Sequence, residues 1–242
     1  MDAALQRAPG HRVVVFNAFF FKLSLVGPCI VELEELKTSE RGYRVSQVTL
    51  KQLPTPAPLD EPSPSAYDPS AYITKLHIII TTTNKQDGFK FAPLDYKQTP
   101  PVFDGMKLSK FGLAGGPDVL RIYENQEHGD KGELWHAFEW PNDREPIDAK
   151  SIACFADIAT SPRPFITKEM MHAIRASLQF EIAFHRPPTN PTKRVLVKFL
   201  MKNIIDGIMN ADAWLYDQDG YLLATARHHI AFSEKKPKKP SL

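Results

Sequence analysis

The sequence predicts an α+β fold made of two related antiparallel units, and three observations carry that prediction. Apolar and polar residues alternate along several β-branched and aromatic runs in the first 52 residues, the period-two pattern of strands with one face on a core. A similar set of runs returns from Ser177 onward, with Phe19-Phe-Phe-Lys and Phe184-His-Arg-Pro in corresponding places, an offset near 165 residues. One stretch of helical spacing, Asp148 to Ala159, carries Ile152, Ala153, Phe155, Ala156 and Ala159 and precedes the second set.

Residues 1–11 are too few for more than a helix tail. Arg12 to Phe21 reads as a strand, rich in Val and Phe. Gly27-Pro28 turns the chain into Cys29–Leu36, and Arg41-Gly42 separates that run from Tyr43–Gln52. Three strands joined by short turns make a meander. Leu53 to Tyr72 differs in kind. It holds prolines 54, 56, 58, 62, 64 and 69 among Ser, Asp and Glu, and is expected to be a disordered loop or a lid. Ile73–Thr83 then returns as a strand.

Residues 84–145 carry weak periodicity. They are expected to connect the two units, with short strands around Val119–Tyr123 and Glu133–Trp140. Strands are expected again at Ser177–His185, Arg194–Lys202, Gly207–Asp217 and Tyr221–Phe232, and Asp217-Gln-Asp-Gly220 is the clearest hairpin signal. The predicted organisation is a first unit over 1–145, a second over 146–233 and a basic disordered tail over 234–242.

Composition excludes several classes. The 242 residues are 43% hydrophobic, enough for a large core. Thirty basic against 28 acidic residues give a net charge of +2 and no electrostatic footprint for nucleic acid. Lys235, Lys236, Lys238 and Lys239 form a short basic run, read as a solvated tail. Cys29 and Cys154 lie in apolar runs and suggest neither a disulfide framework nor a zinc site. The best membrane candidate, Val13 to Phe21, is short and contains Asn17. No targeting pattern stands at either end, so a cytoplasmic protein without membrane or nucleic-acid partners is expected.

Several motifs together resemble the double-hotdog acyl-CoA thioesterase superfamily and its fungal thioesterase-like members. In the second half these are Phe155-Ala-Asp157, Ser177-Leu-Gln-Phe-Glu-Ile-Ala-Phe-His-Arg-Pro187, and the run from Ala213 to His229 through Asp219-Gly220. In the first half they are Val26-Gly-Pro28 and Val48-Thr-Leu-Lys-Gln52. The resemblance implies a double hotdog, two antiparallel sheets each wrapped around a helix. The N-terminus lacks the glycine-bearing segment and full helix that open such a unit, so the first unit is expected to be trimmed or the chain to begin late.

The resemblance also implies a polar trio that orients a hydrolytic water: an aspartate, a hydroxyl residue and a glutamine. The aspartate's place aligns with Gln179, the glutamine's with His228, and the hydroxyl's falls near Lys202 or Asn203. Gln179 can orient water but cannot take its proton, while His228 could serve as a base at neutral pH. Glu181 shares alternation with Gln179 and could supply the missing carboxylate. Asp157, on the helix, is expected to cap or orient backbone near the cavity. His228 and His229 must face opposite sides of a strand, so at most one lines a cavity. No metal or cofactor is implied.

Two readings of function follow. One is a thioesterase on an acyl or polyketidyl thioester. The other is a non-hydrolytic cyclase of secondary metabolism that folds a polyene or polyketide in an apolar cavity, favoured by the altered trio. A binding protein without turnover is a third reading. The fused pair leaves a monomer or a homodimer open.

Overall fold

The computed structural model describes residues 1–39, 42–55, 67–85, 105–109, 116–125, 131–141, 146–158, 173–188 and 192–233. The tail over 234–242 and most of the proline-rich loop lie outside the described residues. The chain divides into two compact units, Met1–Lys90 and Phe91–Leu242.

The first unit begins with a short helix, α1 (Asp2–Arg7), followed by β1 (Arg12–Phe20), β2 (Ile30–Lys37), β3 (Tyr43–Gln52) and β4 (Ile73–Thr83). Its strands pair antiparallel in the order β2-β3-β4-β1. Ala18, Val48, Ile78 and Ile80 are buried on one face, and Val13 joins them through the irregularity at Val14. Arg44 donates to the Arg7 carbonyl at 3.0 Å and holds the C-terminal end of α1.

The second unit contains β5 (Lys107–Leu108), β6 (Arg121–Asn125), β7 (Glu133–Glu139), α2 (Ala149–Asp157), β8 (Ile174–Phe184), β9 (Val195–Ile205), β10 (Ile208–Tyr216) and β11 (Leu222–Ser233). The pairing order is β8-β11-β10-β9-β7-β6-β5, antiparallel throughout. The short strands expected in the connector are present, but β7 pairs with β9, so they extend the second unit instead of linking two. The tightest hairpin is one that composition underplayed. Asp206 (φ 51°) and Gly207 (φ 75°) alone join β9 to β10, the positive-φ pair that a two-residue turn needs.

Helix α2 starts on a capping box: Asp148 accepts from the Ser151 backbone at 2.8 Å, and Ser151 Oγ accepts from the Asp148 N–H at 3.3 Å. Ile152, Phe155 and Ala156 are buried, and Phe155 stacks on Phe138 with centroids 5.0 Å apart. The helix lies against β8, β9, β10 and β11. A sheet wrapped around a helix is thus present in the second unit. In the first, α1 has six residues and spans about 9 Å, too short for that role.

The two units repeat one another in detail. Phe21 and Lys22 both donate to the Lys75 carbonyl (2.9 and 3.3 Å), and His185 and Arg186 both donate to the Leu223 carbonyl (2.8 and 3.3 Å). Three irregularities in the ladders recur. Val14 drops out of the β1–β4 pairing as Leu178 drops out of β8–β11. Leu36 and Lys202 are skipped in β2–β3 and β9–β10. Lys75 and Leu223 are skipped in β3–β4 and β10–β11. A bulge is costly to place and bends a strand locally, so three at matching positions mark a duplicated frame. The matched pairs set the offset: Phe20 and Phe184 are 164 positions apart.

Candidate functional site

The bulge at Leu178 decides which side chains meet. Gln179 pairs with His229 and Phe180 with His228, but the next ladder pair is Ser177 with Ile230. Skipping one residue reverses side-chain parity. Ser177 therefore comes to the helix-facing side with Phe180, His228 and Ile230. Gln179 and Glu181 stay on the opposite face, with His229 and Arg227 as their partners in pairing.

On the helix side, His228 is buried, 4% exposed, at the centre of β11. Its Nε2 lies 2.9 Å from Ser177 Oγ and 3.6 Å from Asp157 Oδ1. The Phe180 ring meets the imidazole edge-on at 5.4 Å. His228 Nδ1 is buried without a hydrogen-bond partner. Burial, reinforced by the neighbouring His229, pushes the His228 pKa down to about 4. It is a neutral imidazole at pH 7 and a poor proton acceptor, so the expectation of a neutral-pH base at His228 is not met.

Asp157 is the last residue of α2. A carboxylate at a helix C-terminus opposes the macrodipole, so helix stability alone would not select it there. Half of its side-chain surface is open to solvent, yet the protein packed around the carboxyl raises its pKa above the ordinary carboxylate value. One turn earlier, burial and the Asp157 charge raise the Cys154 thiol pKa, which keeps it protonated and unsuited to nucleophilic attack.

The structure thus brings Asp157 and His228 together and adds Ser177, which sequence reasoning missed. Gln179, Glu181 and Asn203 lie elsewhere. Asn203 Oδ1 accepts from Asn210 Nδ2 at 2.8 Å on the exposed side of the β9–β10 pair. Glu181 lines a shallow cleft of about 220 Å³ with Asp212, Trp214, Thr225 and Arg227 on the face away from the helix. The proposed Gln179–His228 site is therefore excluded by parity. A carboxylate and a hydroxyl do stand beside His228, but they come from α2 and from the far side of a bulge. Beyond His228 the helix-side face continues as an apolar cluster of Met209, Ala211 and Ile230, flanked by Met201, Ile204 and Phe232.

A family model described as the acyl-CoA thioesterase C-terminal domain matches residues 96–232, more than half of the chain. The chain belongs to this family. The matched span falls within the second unit, and this acyl-CoA thioesterase-like chain carries Asp157, Ser177 and His228 inside it. Solved structures agree on the fold. A putative thioesterase from Novosphingobium aromaticivorans is 18% identical, with 96% of this chain and 83% of that one covered at a TM-score of 0.71. The acyl-CoA thioesterase II TesB2 from Mycobacterium marinum is 14% identical, with coverage of 97% and 85% and a TM-score of 0.71. A hot dog fold protein of unknown function from Alicyclobacillus acidocaldarius is 13% identical, with coverage of 93% and 80% at 0.68. No curated protein matches the sequence. Among the described residues, no helix is long and apolar enough to cross a membrane.

Proposed function

We propose that this chain hydrolyses acyl thioesters at the cluster formed by Asp157, Ser177 and His228. The observation that carries the reading is the convergence of a carboxylate of raised pKa and a hydroxyl on the Nε2 of a buried, neutral histidine. Thioester hydrolysis needs a base for water and a polarising donor for the carbonyl oxygen. Asp157 is the base in this reading, since a carboxyl with a raised pKa holds a proton more readily than an ordinary one. His228 is the hydrogen-bond donor, its imidazole kept neutral by burial so that it donates without carrying charge. Ser177 positions the water between them. The water oxygen bonds to the acyl carbon, its proton passes to Asp157, and the thiolate leaves as the carbonyl re-forms. The apolar cluster around Met209 and Ile230 supplies a wall for the acyl chain.

The case for a non-hydrolytic cyclase rested on the loss of the polar trio. With Asp157 and Ser177 beside His228, that argument weakens, and a polyene or polyketide becomes one candidate acyl group among several. The test is incubation with acyl-CoAs of graded chain length while free thiol is followed with a thiol reagent. Thiol release that falls at least a hundredfold in Asp157→Asn is the expected result. Absence of thiol release from every thioester, with rearranged unsaturated products instead, would overturn hydrolysis in favour of cyclisation.

A further inference from the structure

Among the described residues of the first unit, the segment between β1 and β2 is the most apolar exposed stretch. Val26 is 100% exposed, Leu23 81% and Phe21 59%, with Leu25 also open to solvent. Phe21 belongs to an aromatic run that would ordinarily be assigned to the core, yet it lies at the end of the strand, with its ring against His77 at 6.3 Å. Scattered single apolar residues on a surface are ordinary, whereas four within six positions form a patch that marks a contact.

Hydrogen bonds tie this tip to the sheet. Gln52, itself buried, accepts from the Leu25 N–H at 2.9 Å and donates to the Leu25 carbonyl at 2.8 Å, with a longer reach to the Pro28 carbonyl at 3.5 Å. The Phe21 and Lys22 N–H groups are both taken by the Lys75 carbonyl. The side-chain amide of Gln52 acts as a one-residue strand partner. Several backbone polar groups of the tip are therefore satisfied from within while its apolar side chains point outward.

We propose that the tip formed by Phe21, Leu23, Leu25 and Val26 inserts reversibly into the interfacial region of a lipid surface. Three features favour lipid over a protein partner. A strand-adding partner would need free backbone donors and acceptors, and at Leu25 both are occupied. Apolar surroundings penalise unpaired backbone groups, and the Gln52 and Lys75 bonds remove several of them in advance. The stretch 21–29 contains one lysine, Lys22, and no acidic residue, so nothing in it is repelled by an anionic headgroup. Insertion of a loop tip needs no spanning helix. Such binding is weak, since affinity scales with the apolar area buried.

The test is co-sedimentation of the full chain with phosphatidylcholine vesicles and with vesicles containing phosphatidylserine, alongside the double variant Leu23→Glu/Val26→Glu. The wild-type chain is expected to pellet with both vesicle types, and the variant's bound fraction to fall about tenfold, with unchanged far-ultraviolet circular dichroism and melting temperature. Gln52→Ala, which frees the Leu25 backbone, is expected to weaken binding by a smaller factor. Wild-type protein that stays in the supernatant at millimolar lipid overturns the proposal. So does binding to anionic vesicles alone that the double variant leaves intact. Sedimentation velocity supplies the remaining arm: a wild-type oligomer that becomes monomeric in the variant, without vesicle binding, assigns the tip to a second copy of the chain instead.

Discussion

Where the second unit holds His228, paired with Phe180, the first holds Ile80, paired with Phe16. Where the second has Ser177 beyond its bulge, the first has Val13 beyond the same bulge at Val14. Ile80 is fully buried and Val13 nearly so. The strand frame is thus the same in both units, irregular pairing included, and the proposed chemistry is confined to one. The bulge is a property of the duplicated scaffold; polar side chains beside it are what the second unit adds. A strand irregularity in this protein is therefore no sign of a site until the residues next to it are read.

The largest effect that sharpens this contrast is expected from Asp157→Asn, which removes the proposed base while leaving shape unchanged. Turnover should fall by about 10² to 10⁴, whereas Ile80→Val in the first unit should leave it within about twofold. A rate equally sensitive to both substitutions would mean that the contrast between units is misdrawn. Next, His228→Ala should cost at least about tenfold, because a donor is lost, but His228→Gln should restore most activity through its amide N–H. If His228 were a base, glutamine would rescue nothing.

Acid stability offers a second contrast, because among the described residues the histidines with strongly lowered pKa values, His136 and His228, both belong to the second unit. Burial pushes the His136 pKa down to about 3 and that of His228 to about 4. In the unfolded chain each protonates near pH 6.5. Below that value the unfolded state binds protons that the folded state refuses, so stability is fully present above pH 6.5 and falls as the pH drops. The slope is up to about 1.4 kcal/mol per pH unit for each histidine, ending near pH 4 for His228 and near pH 3 for His136. Urea midpoints measured from pH 7.5 to 4 should decline accordingly, and His136→Phe should flatten the decline. An unchanged slope in that variant would show that carboxylates dominate the acid response.

Glycines provide a smaller effect of the same kind. A Cβ at Gly132 (φ 73°) would stand 2.4 Å from the Met201 carbonyl oxygen, while one at Gly10 (φ 76°) in the first unit meets nothing within 4 Å. Gly132→Ala should therefore cost about 2–3 kcal/mol and Gly10→Ala about 1, the left-handed penalty alone. Melting curves of the two variants decide it. The smallest effects belong to Gln179→Ala, Glu181→Ala and Asn203→Ala, each expected to leave turnover within about twofold because these side chains point away from Asp157.

These assignments also show where the sequence was legible. Strand positions followed from period-two alternation, and the duplication from the runs at Phe19 and Phe184, although the ladders match Phe184 with Phe20, one residue on. Parity along β8 did not follow, since Ser177, Gln179 and Glu181 alternate perfectly on paper and would share a face in an unbroken ladder. The bulge that separates them is defined by the partner strand, so no inspection of β8 alone reveals it. Asp157 was legible as a residue of interest. Its partner His228 lies 71 positions later, and only the packing of α2 on the sheet brings the two within reach. The exposed carboxyl at a helix C-terminus was the one local signal available.

The matched irregularities carry a last consequence for the proline-rich stretch. Leu50 of β3 corresponds to Leu215 of β10, 165 positions on, but Lys75 of β4 corresponds to Leu223 of β11, only 148 on. Most of this difference of 17 falls in the connection between β3 and β4. Twenty residues join Gln52 to Ile73, where five join Tyr216 to Leu222. By chain-closure entropy alone a fourfold longer connection costs about 1.2 kcal/mol. A graft of Asp217–Tyr221 in place of residues 53–72 should therefore leave the first unit's register intact, with this gain set against the loss of the hydrogen bond from Tyr67 to Glu32.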